Sequence, residues 1–526
     1  KLPPKSFLIL LFPFLLFYQL LGGEKRERPH REIQMAADRA RLVSIEELPS
    51  HLVLDILTSG RLNASDLACL EQTSRMFRGN HGFSPQNFGS LVDFAAFQLC
   101  SSHTIFCSLH LNAQKELFDR CRGNWKRVLR FLQAVEQSSD IVETSAGNMQ
   151  ITTGRYHTLL ISDSSVYSCG SSLCGVLGQG PDITQCVAFS RINFPTTSRV
   201  LHVSASHNHA AFVMHSGEVF TCGDNSSYCC GHGEVGRAIF RPRLVEALKG
   251  VSCKQVATGL SFTAFLTNQG HVYTCGINTH GQLGHGDSVD RPTPRIVGLL
   301  EGVGSVVQIA SGPSYTLAVM NDGTVYSFGS GSNFCLGHGE QHNESLPRVI
   351  QSFKRKNIHV VRVSAGDEHA IALDSNGFAY TWGKGYCGAL GQGDEIDKTT
   401  PTQLNGMKGH LAVQVCARKR KTFVLVDDGS VFGFGWMGFG SLGFTDKGAS
   451  DKVMKPEMLN SLRGERISQI STGLYHSVAV TKTGLVYGFG DNERAQLGHD
   501  SLRGCLKPTR IIVHKTRDED AAGTIH

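Results

Sequence analysis

Val272-Tyr273-Thr274-Cys275-Gly276 is one of seven phrases of the same build in this chain. Upstream of it, Val256-Ala257-Thr258-Gly259-Leu260-Ser261-Phe262-Thr263-Ala264-Phe265-Leu266 ends in alternating apolar and small residues, as a buried strand does. Asn268-Gln269-Gly270 joins the two phrases, and glycine there supplies the positive φ of a tight hairpin. Downstream come a glycine-rich loop, Asn278-Thr279-His280-Gly281-Gln282-Leu283-Gly284-His285-Gly286, and a Pro-led apolar run, Pro294-Arg295-Ile296-Val297. The unit holds about four short strands, which is one propeller blade. Its closing glycine returns as Gly170, Gly223, Gly276, Gly329, Gly383, Gly435 and Gly490, at intervals of 53, 53, 53, 54, 52 and 55 residues. A fixed period of about 50 residues marks a propeller or a solenoid. The sequence therefore predicts an all-β fold, a seven-bladed β-propeller of about 53-residue repeats over residues 147–513, with a small N-terminal α-helical domain. The last repeat ends on Pro508–Val513, and the first begins at Met149 with no Pro-led strand before it. One blade is thus expected to be completed by both ends of the array, which removes open edges.

Composition narrows the function. The net charge is +6 over 526 residues, but residues 1–34 hold six Lys/Arg and three Glu, so the remainder carries +3. That gives no general case for nucleic-acid or chromatin binding. The sixteen cysteines form no C-x-x-C pair, and Cys169, Cys222 and Cys275 stand where other repeats have Phe or Trp. They read as small buried hydrophobes of a reducing compartment, which places the protein in the cytoplasm, the nucleus or both. No metal site and no cofactor are expected. No nucleophile elbow, phosphate loop or His-Glu-x-x-His is present, so an enzyme is not expected. His157, His209, His369 and His476 share one repeat position, where a structural hydrogen bond is the expected role.

Residues 1–34 are apolar from Ser6 to Leu21 with Pro13 in the middle, short for a membrane span, and the first methionine is Met35. They are expected to be a leader outside the mature protein, and a membrane location is not expected. Residues 43–140 lack the glycine repeat and carry helical spacing, while residues 514–526 form a charged tail. Leu48 and Pro49 open one helix, whose Leu52, Ile56 and Leu57 share a face. Asp66-Leu67 starts a second, and Ser90–Cys100 and Asn124–Val135 read as further packing helices. One repeat departs from the rest: Arg418-Lys419-Arg420-Lys421 replaces the usual Gly-x-x-His and predicts a compact positive spot on the ring, suited to an acidic partner, a phosphate or nucleic acid. Lys354-Arg355-Lys356 is a weaker patch.

The repeated strands, hairpins and Gly-Gln-Leu-Gly-His-Gly loop resemble the regulator of chromosome condensation repeat family, over roughly Gly147 to Val513. The helical order Leu48-Pro49-x-x-Leu52 … Ile56-Leu57, Asp66-Leu67, then Ser74-Arg75 and an aromatic resembles an F-box, departing in one extra residue before Leu62 and in Phe77 where Trp is usual. These resemblances imply a protein-binding ring with an adaptor helix for the Skp subunit of a cullin-RING ubiquitin ligase. The repeat family alternatively implies a guanine nucleotide exchange factor for a Ran-type small GTPase. Plant UV-B receptors of this family carry Trp after the loop glycine. Here those places hold Arg155, His207, Leu260, Pro313, Asp367, Lys419 and Leu474, so photoreception is not expected. Trp382 and Trp436 are expected to pack.

Overall fold

A computed structural model describes residues 50–513, apart from 74–76, 78–87, 138–141, 145–146, 164, 173, 235, 237, 446–450 and 500. Leu48, Pro49, the leader and the tail lie outside the described residues. The described residues divide after Leu57 into two units. In the first, helix α1 (Ser50–Thr58) buries Val53 and Leu57 and leaves Leu52 43% exposed. Leu52 and Ile56 therefore share an outer face, and Leu57 turns inward instead of joining them.

The second unit begins with α2 (Ala64–Thr73), α3 (Leu91–Ser102), α4 (Thr104–Ser108), α5 (Leu111–Arg120) and α6 (Trp125–Gln137). Asn63 Oδ1 accepts the Asp66 N–H (3.0 Å) while Asp66 Oδ2 accepts the Asn63 N–H (3.0 Å), a reciprocal cap that starts α2. Ser90 caps α3 by accepting the Asp93 N–H. Trp125 packs against Phe97 (4.7 Å between ring centres) and Phe118 (4.4 Å), so one indole organises α3, α5 and α6.

Seven antiparallel sheets follow, one per repeat. In blade 3 the inner strand Cys253–Thr258 pairs with Phe262–Thr267, that with Val272–Gly276, and that with the outer strand Arg291–Ile296. The outer strand tolerates Pro292 and Pro294 because its far edge needs no N–H donor. The periodic glycine has a specific cause. Gly276 sits at φ +113° where the third strand shifts register against the outer one, and an added Cβ would meet Ser261 O at 2.5 Å. All seven closing glycines lie at φ between +104° and +114°.

Ring closure differs from the expectation. Every blade is one contiguous segment, blade 7 being Ile467–Thr472, His476–Thr481, Val486–Gly490 and Cys505–Ile511. No blade is shared between the ends, because the repeat is in phase with the sheet and seven repeats already make seven complete sheets. Blade 7 closes on blade 1 by packing Val478, Val480 and Leu497 against Ile151, Leu160 and Phe189. The start of blade 1 instead gains a fifth strand, Val142–Thr144, beside its inner strand.

A ring of amides holds the inner strands together. Gln150, Gln255, Gln308, Gln414 and Gln469 occupy the same strand place. Each accepts a backbone N–H of the next blade, at 2.8–3.0 Å, from Val203, Ile309, Val363, Ile470 and Ile151 in turn. They line a polar cavity of about 230 Å³. Blade 5 has Arg362 there, and its Nη2 donates to Val135 O (2.9 Å) and Glu136 O (3.1 Å) at the end of α6. The helices dock at the hairpin-turn end of blades 5 and 6. Arg127 Nε lies 3.0 Å from Asp427 Oδ2, and Arg120 donates to the Asn376 and His410 carbonyls while its guanidinium covers Phe378.

Candidate functional site

In a four-stranded antiparallel blade the first-to-second and third-to-fourth connections share one end, and the hairpin turn lies at the other. The helices take the turn end. The loop end is therefore the face left to the seven loops, and there the sequence departs most from its own repeat. The first residue of each second strand is His157, His209, Phe262, Tyr315, His369, Lys421 or His476, all buried. His209, His369 and His476 reach Thr263 (2.8 Å), Thr422 (2.8 Å) and Thr158 (3.0 Å) of the next blade, the structural role expected of them. Tyr315 Oη donates to Gly366 O and His369 O instead.

The four-cation stretch is not one positive spot. Lys421 is fully buried in the histidine slot, where its Nζ donates to His476 O (3.3 Å) and burial drives its pKa well below the usual lysine value. Arg418 pairs with Asp367 (3.6 Å), and Arg420 with Glu368 (3.8 Å) while lying over Tyr386. Lys419, at φ +48°, is held differently: its Nζ stands 3.9 Å from the ring centre of Tyr475 and 4.7 Å from that of Trp436.

Trp436 is thus part of a surface cluster, whereas Trp382 is core, fully buried with its indole N–H donating to Cys335 O (2.8 Å). Cys222 and Cys275 do at that place what Trp382 does, their thiols donating to Val176 O and Cys229 O of the neighbouring blade. Tyr475 stacks on Tyr156 (6.1 Å), and Phe439, 55% exposed, meets Tyr475 edge-on (5.4 Å). Sequence reading missed this cluster. Its signal was the residue before the slot histidine, Tyr156 in Gly-Arg-Tyr-His and Tyr475 in Gly-Leu-Tyr-His.

The other proposed site residues separate by burial. Leu52 is exposed and Ile56 half-buried, but Leu57 and Leu67 are interior and Asp66 is committed to its helix cap. Among the described residues no three His, Cys, Asp or Glu side chains converge as metal ligands, and no helix is long and apolar enough to cross a membrane.

Residues 290–526 match the RCC1-like domain family, and residues 216–266 and 253–282 match the regulator of chromosome condensation repeat. The chain is 36% identical over 403 residues to the E3 ubiquitin-protein ligase HERC2 of Homo sapiens, covering 75% of itself but only 8% of that protein. It is 34% identical over 314 residues to the ultraviolet-B receptor UVR8 of Arabidopsis thaliana, covering 60% of itself and 70% of the receptor. The crystal structure of Prp20p from Saccharomyces cerevisiae superposes with a TM-score of 0.60 at 19% identity, over 73% of this chain and 89% of that one.

Proposed function

The chain belongs to the regulator of chromosome condensation repeat family, and from that premise we propose that it is a non-enzymatic protein-recognition ring linked to ubiquitin ligation. In this reading the loop face grips a protein target, and the outer face of α1, with Leu52 and Ile56, docks a Skp-type adaptor of a cullin-RING ligase. The observation that carries the reading is the division of the ring's two ends. Arg120, Arg127 and Arg362 tie α5 and α6 to the hairpin-turn end, while the loop end presents exposed aromatic and cationic side chains. Seven loops converging on one rigid face suit recognition. HERC2 is named a ubiquitin ligase, which supports the pathway assignment, although this chain spans a small part of its length.

Exchange on a Ran-type GTPase is the weaker alternative. It would rest on the likeness to Prp20p, whose structure was described with binding to Gsp1p and histones. Exchange requires a group that stabilises the nucleotide-free partner. The loops between third and outer strands run 13–15 residues in every blade, so none is a long insertion.

Affinity capture of the full chain tests the proposal: Skp and cullin subunits are expected among the partners. Leu52→Asp with Ile56→Asp is expected to abolish adaptor capture with the ring's melting transition unchanged, since a charge on that face cannot be buried unpaired. Retained capture, or unfolding of the whole protein, would refute the adaptor helix. Acceleration of GTPase nucleotide release by orders of magnitude would replace it with exchange.

A further inference from the structure

We propose that the loop face of blades 6, 7 and 1 is a docking surface for an acidic protein segment carrying an apolar residue among its carboxylates. This rests on reading the ring as a protein-recognition module and names the chemistry of what it grips.

Three cations on this face have no carboxylate within ion-pair distance among the described residues: Arg155, Lys419 and Arg494. Each rests on an aromatic ring instead. Arg155 lies 4.8 Å from the ring centre of Tyr156 and Arg494 6.0 Å from the same ring, while Lys419 spans Tyr475 and Trp436. Because Tyr156 stacks on Tyr475, the three cations belong to one cluster. Arg418 and Arg420, the residues on either side of Lys419, are answered by Asp367 and Glu368.

The distinction matters physically. A carboxylate neutralises a cation, whereas a ring orients it, at about 0.5–1 kcal/mol on an exposed surface, and leaves its charge available. Lys419 is further fixed by a hairpin in which Arg418 pairs directly with Lys421, leaving two residues in the loop. Side chains ordered before binding lose less entropy when a partner arrives, and each can then form a charge-assisted bond to an incoming carboxylate.

Beside the cations lies an apolar step. Phe439 is 55% and Leu506 66% exposed, and the two are neighbours, since a Cβ on Gly440 would meet Leu506 Cα at 2.6 Å. A nucleic acid fits this surface less well. Asp367 and Glu368 stand beside Lys419 on Arg418 and Arg420, so an evenly charged phosphate backbone would meet like charge there, whereas a peptide can set its neutral residues against them.

The test uses the full chain and fluorescence anisotropy with three labelled probes: a short Asp/Glu peptide with a central Leu, its Asn/Gln analogue, and a single-stranded oligonucleotide. The acidic peptide is expected to bind, with the amide analogue at least about tenfold weaker. Lys419→Glu and Arg494→Glu should each weaken the acidic peptide about tenfold. Lys354→Glu with Arg355→Glu, at the turn end, should leave it unchanged. Arg494 is exposed, so its variant answers the question even where Lys419→Glu disturbs the fold. Equal binding of the amide analogue, tighter binding of the oligonucleotide, or unaltered binding by both Glu variants would overturn the proposal. Adaptor capture through α1 is read separately, so loss of one result leaves the other standing.

Discussion

His157 shows how one slot changes meaning with its neighbour. The histidines of blades 2, 5 and 7 each find a threonine hydroxyl on the next blade, but blade 2 offers Ala210 to His157. Both ring nitrogens of His157 are left without a hydrogen-bond partner among the described residues, and burial pulls its pKa down to about 3. The folded value lies below the ordinary one near 6.5, so the unfolded chain takes up the proton first. Stability is then full above about pH 6.5 and falls as the pH drops toward 3, with His369, held at about 4, adding the same trend. His157→Phe, copying Phe262 in blade 3, is expected to stabilise the ring by about 1 kcal/mol and to flatten its loss of stability between about pH 7 and pH 5. Urea unfolding at both pH values measures this; an unchanged pH slope would show that the histidine finds a proton partner. The histidine register was legible in the sequence. The missing hydroxyl was not, because it sits fifty-three residues later, at Ala210.

At the scale of elements, α6 was expected as a packing helix from its amphipathic spacing, whereas α5 (Leu111–Arg120) was not foreseen. What spacing does not show is where they dock. Asp427, a residue of the hairpin turn in blade 6, has a side chain only 2% exposed, and Arg127 pairs with it from α6. Removing the arginine leaves a buried carboxylate without its main partner. Arg127→Ala is therefore expected to cost about 2 kcal/mol, less than a fully buried pair because Arg127 is itself partly solvated. The loss should fall on helix docking. Limited proteolysis is expected to release a helical fragment while the ring resists, and cleavage spread evenly over the blades would contradict this. Arg362 belongs to the same scale. A glutamine ladder read along the inner strands would have set it apart together with His202 of blade 2, and the structure gives it the carbonyls at the end of α6.

At the scale of the molecule, likeness to UVR8 raises the question of light. Coupled indoles absorb together only when they stand close, and the three tryptophans are dispersed over three environments. Trp125 is enclosed by phenylalanines of the helices, Trp382 is buried against Phe353 (5.9 Å), and Trp436 lies under Lys419 on the loop face. No tryptophan pair makes ring contact among the described residues. UV-B irradiation is expected to leave the elution volume in size-exclusion chromatography unchanged; a light-dependent shift would sink this prediction.

The number of blades and the four-strand plan of the repeat were legible in the sequence. Both are local, because the repeat restates one hairpin; the structure adds why its closing glycine recurs, since Gly276 lies at φ +113° and a Cβ there would also meet Ser261 O at 2.5 Å. Tertiary structure alone decided how the ring closes and what the cations face. Lys421 reads as a surface charge in the run Arg418–Lys421, yet alternate residues of a strand point to opposite sides, and its side places it between blades. Lys419, two residues earlier, is exposed to rings that arrive from Trp436 and Tyr475. Burial and charge neutralisation depend on residues that neighbouring blades bring together, such as Asp367 beside Arg418 and His476 beside Lys421, and no short window of sequence contains them.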